Sequence, residues 1–159
     1  GAPAAYAPVP NRIGGGASSF PPTEYWIRLF TSPFGRISRL QFWLHGVLPI
    51  VGVSIVLGWV PLINIVVFLA TWWASICISF KRFHDVGYPG WWSLIGAIPF
   101  LAAMIVLAGS LFMGGMGGWR LAAILYGIGG IIFIVQLIFV YCRVGQQGPN
   151  AYGEDPLGV

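Results

Sequence analysis

Long apolar runs, separated by short polar breaks, make up most of the chain after residue 41. Four of these runs have the length of a membrane-spanning helix, at about 42–60, 62–80, 91–113 and 119–141. A helix of nineteen residues rises about 28 Å, close to the hydrocarbon thickness of a bilayer. The pattern therefore predicts an all-α integral membrane protein whose residues 42–142 form a bundle of four transmembrane helices.

Two segments with other patterns precede the first run. Residues 1–22 form a Pro/Gly-rich arm, which is expected to be either disordered or extended along a partner subunit. Residues 23–41 are predicted to be an interfacial helical segment, in which the eight residues TEYWIRLF at 23–30 are too few to span the membrane. Within it, Thr23 is suited to cap an amphipathic helix, and Ser32 with Pro33 is suited to start a second one.

A few positions inside the apolar runs are expected to shape the bundle. Pro49 and Pro99 should kink the first and third helices, because proline removes a backbone hydrogen bond. Gln136 should face the bundle interior and find a polar partner there. Trp72 and Trp73 lie near the middle of the second run, away from the interfacial belts in which aromatic residues collect. We therefore interpret this pair as a contact with another helix or another protein.

Composition agrees with a membrane protein. Hydrophobic residues make up 57% of the chain and charged residues 8%, against about 25% charged residues in a soluble domain. The net charge of +4 does not indicate nucleic-acid binding, because the basic residues lie at the ends of apolar runs and form no continuous face. Seven of the eight Lys and Arg residues fall on one side of the four-helix arrangement. The positive-inside rule then predicts a multi-pass protein with both termini, including the tail at 143–159, in the cytoplasm.

Residues for common enzyme chemistry are sparse. The chain has four acidic residues, none of them inside a predicted span, and it contains no phosphate-binding loop or nucleophile elbow. Cys77 and Cys142 are interpreted as buried apolar residues. His45, His84 and Asp85 are too few, and lack the spacing, for a metal site. The sequence therefore predicts a protein that is not an enzyme and has no metal or cofactor, and it argues against a proton-coupled transporter.

The densest run of charge is KRFHDVGYPGWW at residues 81–92, between the second and third apolar runs. If the second helix continues into this segment, Arg82 and Asp85 lie three residues apart and can pair across one turn. Gly87 would allow a left-handed turn, and Trp91 with Trp92 would anchor the segment at the membrane interface.

Three motifs together carry a family resemblance. They are GRISRLQFW at 35–43, KRFHDVGYPGWW at 81–92 and GPNAYGEDP at 148–156. In this order, separated by apolar runs, they resemble the bacterial inner-membrane family catalogued as domain of unknown function 805. Lys81 stands where a second arginine is common in that family. The resemblance covers about residues 34–157; it implies a short multi-span protein in the inner (cytoplasmic) membrane and supplies no reaction.

The predicted topology places all three motifs on the cytoplasmic face, where two interpretations stay open. The first is a structural cap formed by loop and tail residues: Arg82, His84, Asp85, Gly87, Trp91, Trp92, Asn150, Tyr152 and Asp155. The second is a site for an anionic ligand or lipid headgroup, formed by four basic residues: Arg36, Arg39, Lys81 and Arg82.

The leading functional prediction is a non-catalytic small inner-membrane protein. It would be an accessory or structural subunit that packs against a larger membrane complex, or a homo-oligomer, with Trp72 and Trp73 as candidate partner contacts. The alternative is a small transport or lipid-handling protein that uses the cytoplasmic basic residues. Anionic lipid headgroups are expected contacts in either case, and nucleic acid is not.

Overall fold

The computed structural model describes residues 21–113 and 117–158, and all regular secondary structure in these ranges is helical. One isolated antiparallel bridge joins Asn150 and Gly153 in the tail. The chain divides into two compact units: Gly1–Gly90 with Arg143–Val159, and Trp91–Cys142. The predicted arm at residues 1–22 lies outside the described residues except for its last two positions.

The first helix, α1, spans Thr23–Thr31 and buries Tyr25 and Leu29. Its N-cap is Pro22, in an extended conformation and without a capping side chain, so the prediction that Thr23 caps this helix is wrong. Thr23 is instead the first helical residue, directly after the proline.

The second helix predicted for the segment before the first run is also absent. Residues 32–38 are non-helical. The hydroxyl of Ser32 accepts a hydrogen bond from the backbone amide of Phe34, two residues on, at 3.3 Å. Serine side chains often stabilise local turns in this way, in competition with helix formation.

Helix α2 spans Gln41–Leu57 and is apolar. It is π-helical over Gln41–Val47 and α-helical over Leu48–Leu57, with Pro49 at the change between the two. The missing N–H of proline thus falls where the regular α-helical hydrogen-bond pattern begins. Gly46 lies against Ile78 of the next helix, and an added Cβ would stand 3.0 Å from that side chain.

Helix α3 spans Ile63–Asp85 and packs against α2. The predicted second span ends near residue 80, whereas α3 continues through the five residues 81–85. All five are buried, because the segment before α2 and the tail surround this end of the helix.

The second unit contains a helical hairpin. A 3₁₀ turn over Gly90–Gly96 leads into α4, Ala97–Met113, and α5 spans Gly117–Gln136 with a π-helical extension, Leu137–Tyr141. Pro99 lies in the first turn of α4, where backbone N–H groups have no acceptor within the helix. Its missing N–H therefore costs no helical hydrogen bond, and a proline kink inside this helix is not required. Gln136 finds a polar partner, since its amide donates to the carbonyl of Trp92 at 3.0 Å.

Among the described residues, three helices are long and apolar enough to cross a membrane: Ile63–Asp85, Gly90–Phe112 and Gly117–Tyr141. Only 11–17% of the residues in their apolar windows are buried inside the protein. Exposed apolar helices of this length require a lipid environment. The chain is therefore a helical membrane protein.

Candidate functional site

A buried carboxylate flanked by two arginines lies at the C-terminal end of α3. One oxygen of Asp85 lies 3.1 Å from Nη2 of Arg36, and Nε of the same guanidinium donates to it at 3.2 Å. The other oxygen accepts a hydrogen bond from Nη1 of Arg82, one helical turn earlier. The three side chains are at most 2% exposed. We call this group the Arg–Asp–Arg cluster. It carries one net positive charge.

Arg36 connects the cluster to the tail. Its Nη1 donates to the carbonyls of Gly148 (2.7 Å) and Gly153 (3.3 Å), and its Nη2 donates to the carbonyl of Gln146. All three nitrogens of the guanidinium are therefore donors within the protein. A planar guanidinium is suited to collect several acceptors in this way.

Arg82 and the backbone of Asp85 make further bonds to the tail. Nη2 of Arg82 donates to the carbonyl of Arg143, and the amide of Gln146 donates to the carbonyl of Asp85 at 2.8 Å. The first bond satisfies a backbone carbonyl, and the second a backbone amide, of an irregular segment that has no helix or sheet of its own.

Internal bonds give the tail a fixed shape. One carboxylate oxygen of Asp155 accepts the amide of Gly148 at 2.8 Å, and the other accepts the amide of Leu157 at 2.9 Å. Asn150 accepts the amide of Tyr152 at 2.8 Å through its side-chain oxygen. Asp and Asn commonly stabilise turns by such side-chain-to-backbone bonds.

His84 also joins the three motifs at this end of α3. Its ring stacks on Tyr152, with centroids 4.1 Å apart and planes within 5°. Its Nδ1 lies 3.2 Å from the carbonyl of Gly35, which defines Nδ1 as the donor. The backbone carbonyl of His84 accepts the side-chain amide of Asn150 at 2.9 Å.

Two glycines allow the tail to approach α3. Gly87 has φ +88°, in the left-handed region expected from the sequence, and a Cβ there would stand 2.3 Å from the side chain of Gln146. At Gly145 a Cβ would stand 1.9 Å from a carboxylate oxygen of Asp85. The position of the tail therefore depends on the lack of a side chain at both residues.

Lys81 connects α3 to α1. Its ammonium group donates to the carbonyls of Arg28 and Leu29, the latter at 3.0 Å. These carbonyls lie near the C-terminal end of α1, where helices leave acceptors unpaired and where a positive charge is favourable. Lys81 is 1% exposed, so it acts as a buried cap for the neighbouring helix.

A second polar contact fixes α1 to α2. The hydroxyl of Tyr25 lies 2.6 Å from Nδ1 of His45, and the Trp26 ring lies 5.3 Å from the same imidazole. Burial raises the pKa of Tyr25 to about 12, so this hydroxyl is protonated at neutral pH and can donate to the imidazole.

The structure brings together most of the residues predicted for the structural cap. Arg82, His84, Asp85, Gly87, Asn150, Tyr152 and Asp155 lie in the first unit around the contacts described above. Trp91 and Trp92 belong to the second unit and contact each other edge-to-face. Trp72 and Trp73 are 52% and 49% exposed on α3.

The four cations predicted to bind an anion do not share one surface. Arg36, Lys81 and Arg82 are buried and donate to protein acceptors, because Asp85 and backbone carbonyls surround them. Arg39 is exposed. No group of three metal-ligating side chains occurs among residues 21–113 and 117–158.

Sequence reasoning missed the backbone partners. The tail residues Arg143, Gln146, Gly148 and Gly153 accept through carbonyl oxygens, which every residue type carries. Residue identity therefore offers no signal for them. Gly145 could have been noticed as a glycine directly after the last apolar run, although nothing local connects it with Asp85.

Comparison with known proteins relates the chain to inner-membrane proteins. The inner membrane protein YhaI of Escherichia coli (strain K12) is 26% identical over 129 residues, covering 77% of this chain and 83% of that protein. The inner membrane protein YhaH of the same strain is 26% identical over 137 residues, with 77% and 84% covered. The uncharacterized protein YiiR is 28% identical over 143 residues, with 86% and 91% covered. No solved structure matches the chain.

A family model described as "Protein of unknown function (DUF805)" matches residues 30–154. The match includes all three sequence motifs up to Glu154, and with them the Arg–Asp–Arg cluster. The chain belongs to the DUF805 family.

Proposed function

We propose that the protein is a non-catalytic structural or accessory component of the bacterial inner membrane, which acts by packing against another membrane protein or a second copy of itself. The observation that carries this proposal is the distribution of polar and apolar side chains. The ionisable groups of the Arg–Asp–Arg cluster are bonded to one another and to the tail. The outer face of α3, by contrast, presents two tryptophans in the middle of a span.

The proposal includes four crossings with both termini in the cytoplasm. Arg36 and Asp85 are in contact, so the segment between them crosses the membrane an even number of times. In the proposed arrangement both α3 and α2 cross, although the 17 residues of α2 span only about 25 Å. Gln146 also contacts Asp85, and two long apolar helices lie between them in sequence. The bilayer can thin locally around a short helix at modest cost.

The mid-span tryptophans support the packing role. Trp72 and Trp73 lie near the centre of Ile63–Asp85, where an indole N–H finds no headgroup or water partner. Contact with another membrane protein would give each ring both packing and a polar partner. The alternative, an anion-handling protein, receives less support because three of its four predicted cations are buried.

Site-specific photo-crosslinking in native membranes tests this proposal. A benzophenone side chain replaces Trp72 or Trp73, and replacement of Ile105, which is 73% exposed on α4, serves as the control. We expect one adduct of discrete mass from the α3 positions and only lipid adducts from the control. An adduct with twice the mass of the chain indicates a second copy of the protein. Co-expression of two differently tagged copies then confirms this if the adduct carries both tags. If the α3 positions give the same lipid adducts as Ile105, the packing role is wrong.

A further inference from the structure

A small cavity lies beside the Arg–Asp–Arg cluster, entirely within the first unit. It has a volume of about 120 Å³ and lies between the residues that precede α2 and the tail. Its lining includes Ser38, Arg39, Val144, Gln147 and Leu157. Pockets for drug-sized ligands have roughly 300–1,000 Å³. This cavity therefore fits one small polar group rather than a whole metabolite.

The charges around the cavity favour an anion. Asp85 and Asp155 contribute to the lining, but Asp85 pairs with Arg36 and Arg82, and both oxygens of Asp155 accept backbone amides. The side chain of Arg39 makes no hydrogen bond or ion pair with a described residue. Together the three arginines (Arg36, Arg39 and Arg82) and the two aspartates (Asp85 and Asp155) carry one net positive charge. The guanidinium of Arg39 is available for a ligand.

The cavity also has an apolar rim at the depth of the lipid headgroups. Val144 and Leu157 in its wall are 55% and 56% exposed, and Leu40 beside Arg39 is 61% exposed. Arg39 precedes α2 by two residues, and Val144 follows the span Gly117–Tyr141 by three. Three residues extend at most about 11 Å, so Val144 lies near the level at which the hydrocarbon ends.

We propose that this cavity binds the phosphate of an anionic phospholipid. Arg39 pairs with the phosphate, while the hydroxyl of Ser38 and the amide of Gln147 are the nearby donors. The acyl chains lie against the exposed apolar rim. The proposal adds a lipid site to the packing role and does not depend on it, since none of its residues lies near Trp72 or Trp73 in sequence. It also assigns anion binding to Arg39 and not to the three buried cations.

Lipid-dependent stabilisation of the purified full chain tests the proposal. The protein is titrated in detergent micelles with phosphatidylglycerol or with phosphatidylcholine of the same acyl chains, and the thermal unfolding midpoint is followed. A ligand that binds the folded state raises this midpoint with its concentration. We expect phosphatidylglycerol to stabilise the protein at lower concentrations than phosphatidylcholine does, and Arg39→Gln to weaken the apparent affinity for phosphatidylglycerol about fivefold.

Two further variants and a soluble anion separate the explanations. Arg120→Gln removes an exposed arginine of the second unit and should leave the lipid response unchanged. Gln147→Trp fills the cavity from an exposed position with Arg39 intact, and should weaken phosphatidylglycerol binding as Arg39→Gln does. Glycerol 3-phosphate should have no effect at concentrations where the lipid saturates. Three results would each overturn the proposal. The first is an equal response of wild type and Arg39→Gln to phosphatidylglycerol, and the second is an equal loss of phosphatidylglycerol affinity in Arg39→Gln and Arg120→Gln. The third is a full rise of the unfolding midpoint with glycerol 3-phosphate.

Discussion

Helix α3 exposes apolar side chains near its start and buries charged side chains at its end. Near its start, Ile65 and Phe68 are 59% and 63% exposed, whereas in its last turn Lys81, Arg82 and Asp85 are at most 2% exposed. In water this distribution would be unstable. In a bilayer, an exposed apolar side chain faces a solvent as apolar as itself, while a charge needs partners supplied by the protein. Specific contacts in this helix are therefore concentrated at its charged end.

The largest expected effect comes from removing the shared carboxylate. Asp85→Ala leaves Arg36 and Arg82 buried next to each other without a counter-charge. Loss of one partner from a buried ion pair costs about 3–5 kcal/mol. We expect the free energy of unfolding to fall by about this amount, and the tail to become protease-sensitive. Titration with sodium dodecyl sulphate, followed by circular dichroism, measures the first effect.

Glu154→Ala is the matched control for this change. Glu154 is an exposed acid of the same tail, and its removal should change the free energy of unfolding by no more than about 0.5 kcal/mol. Similar losses in the two variants would mean that the charged end of α3 is no more important to stability than the surface.

A smaller effect is expected where the tail backbone approaches the cluster. Gly145→Ala places a methyl group 1.9 Å from a carboxylate oxygen of Asp85, so the tail or the carboxylate must shift. Overpacking of this kind typically costs about 1–3 kcal/mol. The same detergent titration measures it, with no charge removed.

Gly127→Ala tests whether the cost comes from the contact rather than from the loss of a glycine. Gly127 lies within α5, and a Cβ there meets nothing within 4 Å. Alanine should be neutral or stabilising at this position, because it is the better helix former. If Gly145→Ala is as well tolerated as Gly127→Ala, the close approach of the tail to Asp85 is not a constraint on the fold.

The same contrast explains what the sequence could predict. Helix α3 was predicted because the bilayer imposes a length and a composition on any span, and the run that starts after residue 61 satisfies both. Arg82 and Asp85 were predicted as a pair because helical spacing alone brings them together. In both cases a local pattern was sufficient.

Contacts over long sequence separations could not be predicted in the same way. Arg36 and Asp85 are 49 residues apart, and Arg36 and Gln146 are 110 apart. The topology count placed their segments on one face without indicating which cation would be buried. The anion-site hypothesis treated Arg36 and Arg39 alike, although one is buried among carbonyls and the other is exposed. The difference arises from the path of the tail, which has no periodic pattern.

The smallest expected effect compares two neighbouring valines in the exposed half of α3. Val66 is 67% exposed and Val67 is 9% exposed, so truncation to alanine removes the same atoms from two different surroundings. In detergent micelles, Val66→Ala should cost at most about 0.5 kcal/mol, since detergent replaces the lost contacts. Val67→Ala should cost about 1 kcal/mol, because it leaves a space that neighbouring side chains fill only in part. If Val66→Ala lowers the stability of the protein only in native membranes, a partner protein covers this half of the helix. Equal costs for both valines in detergent would instead contradict the division of α3 into an exposed and a packed side.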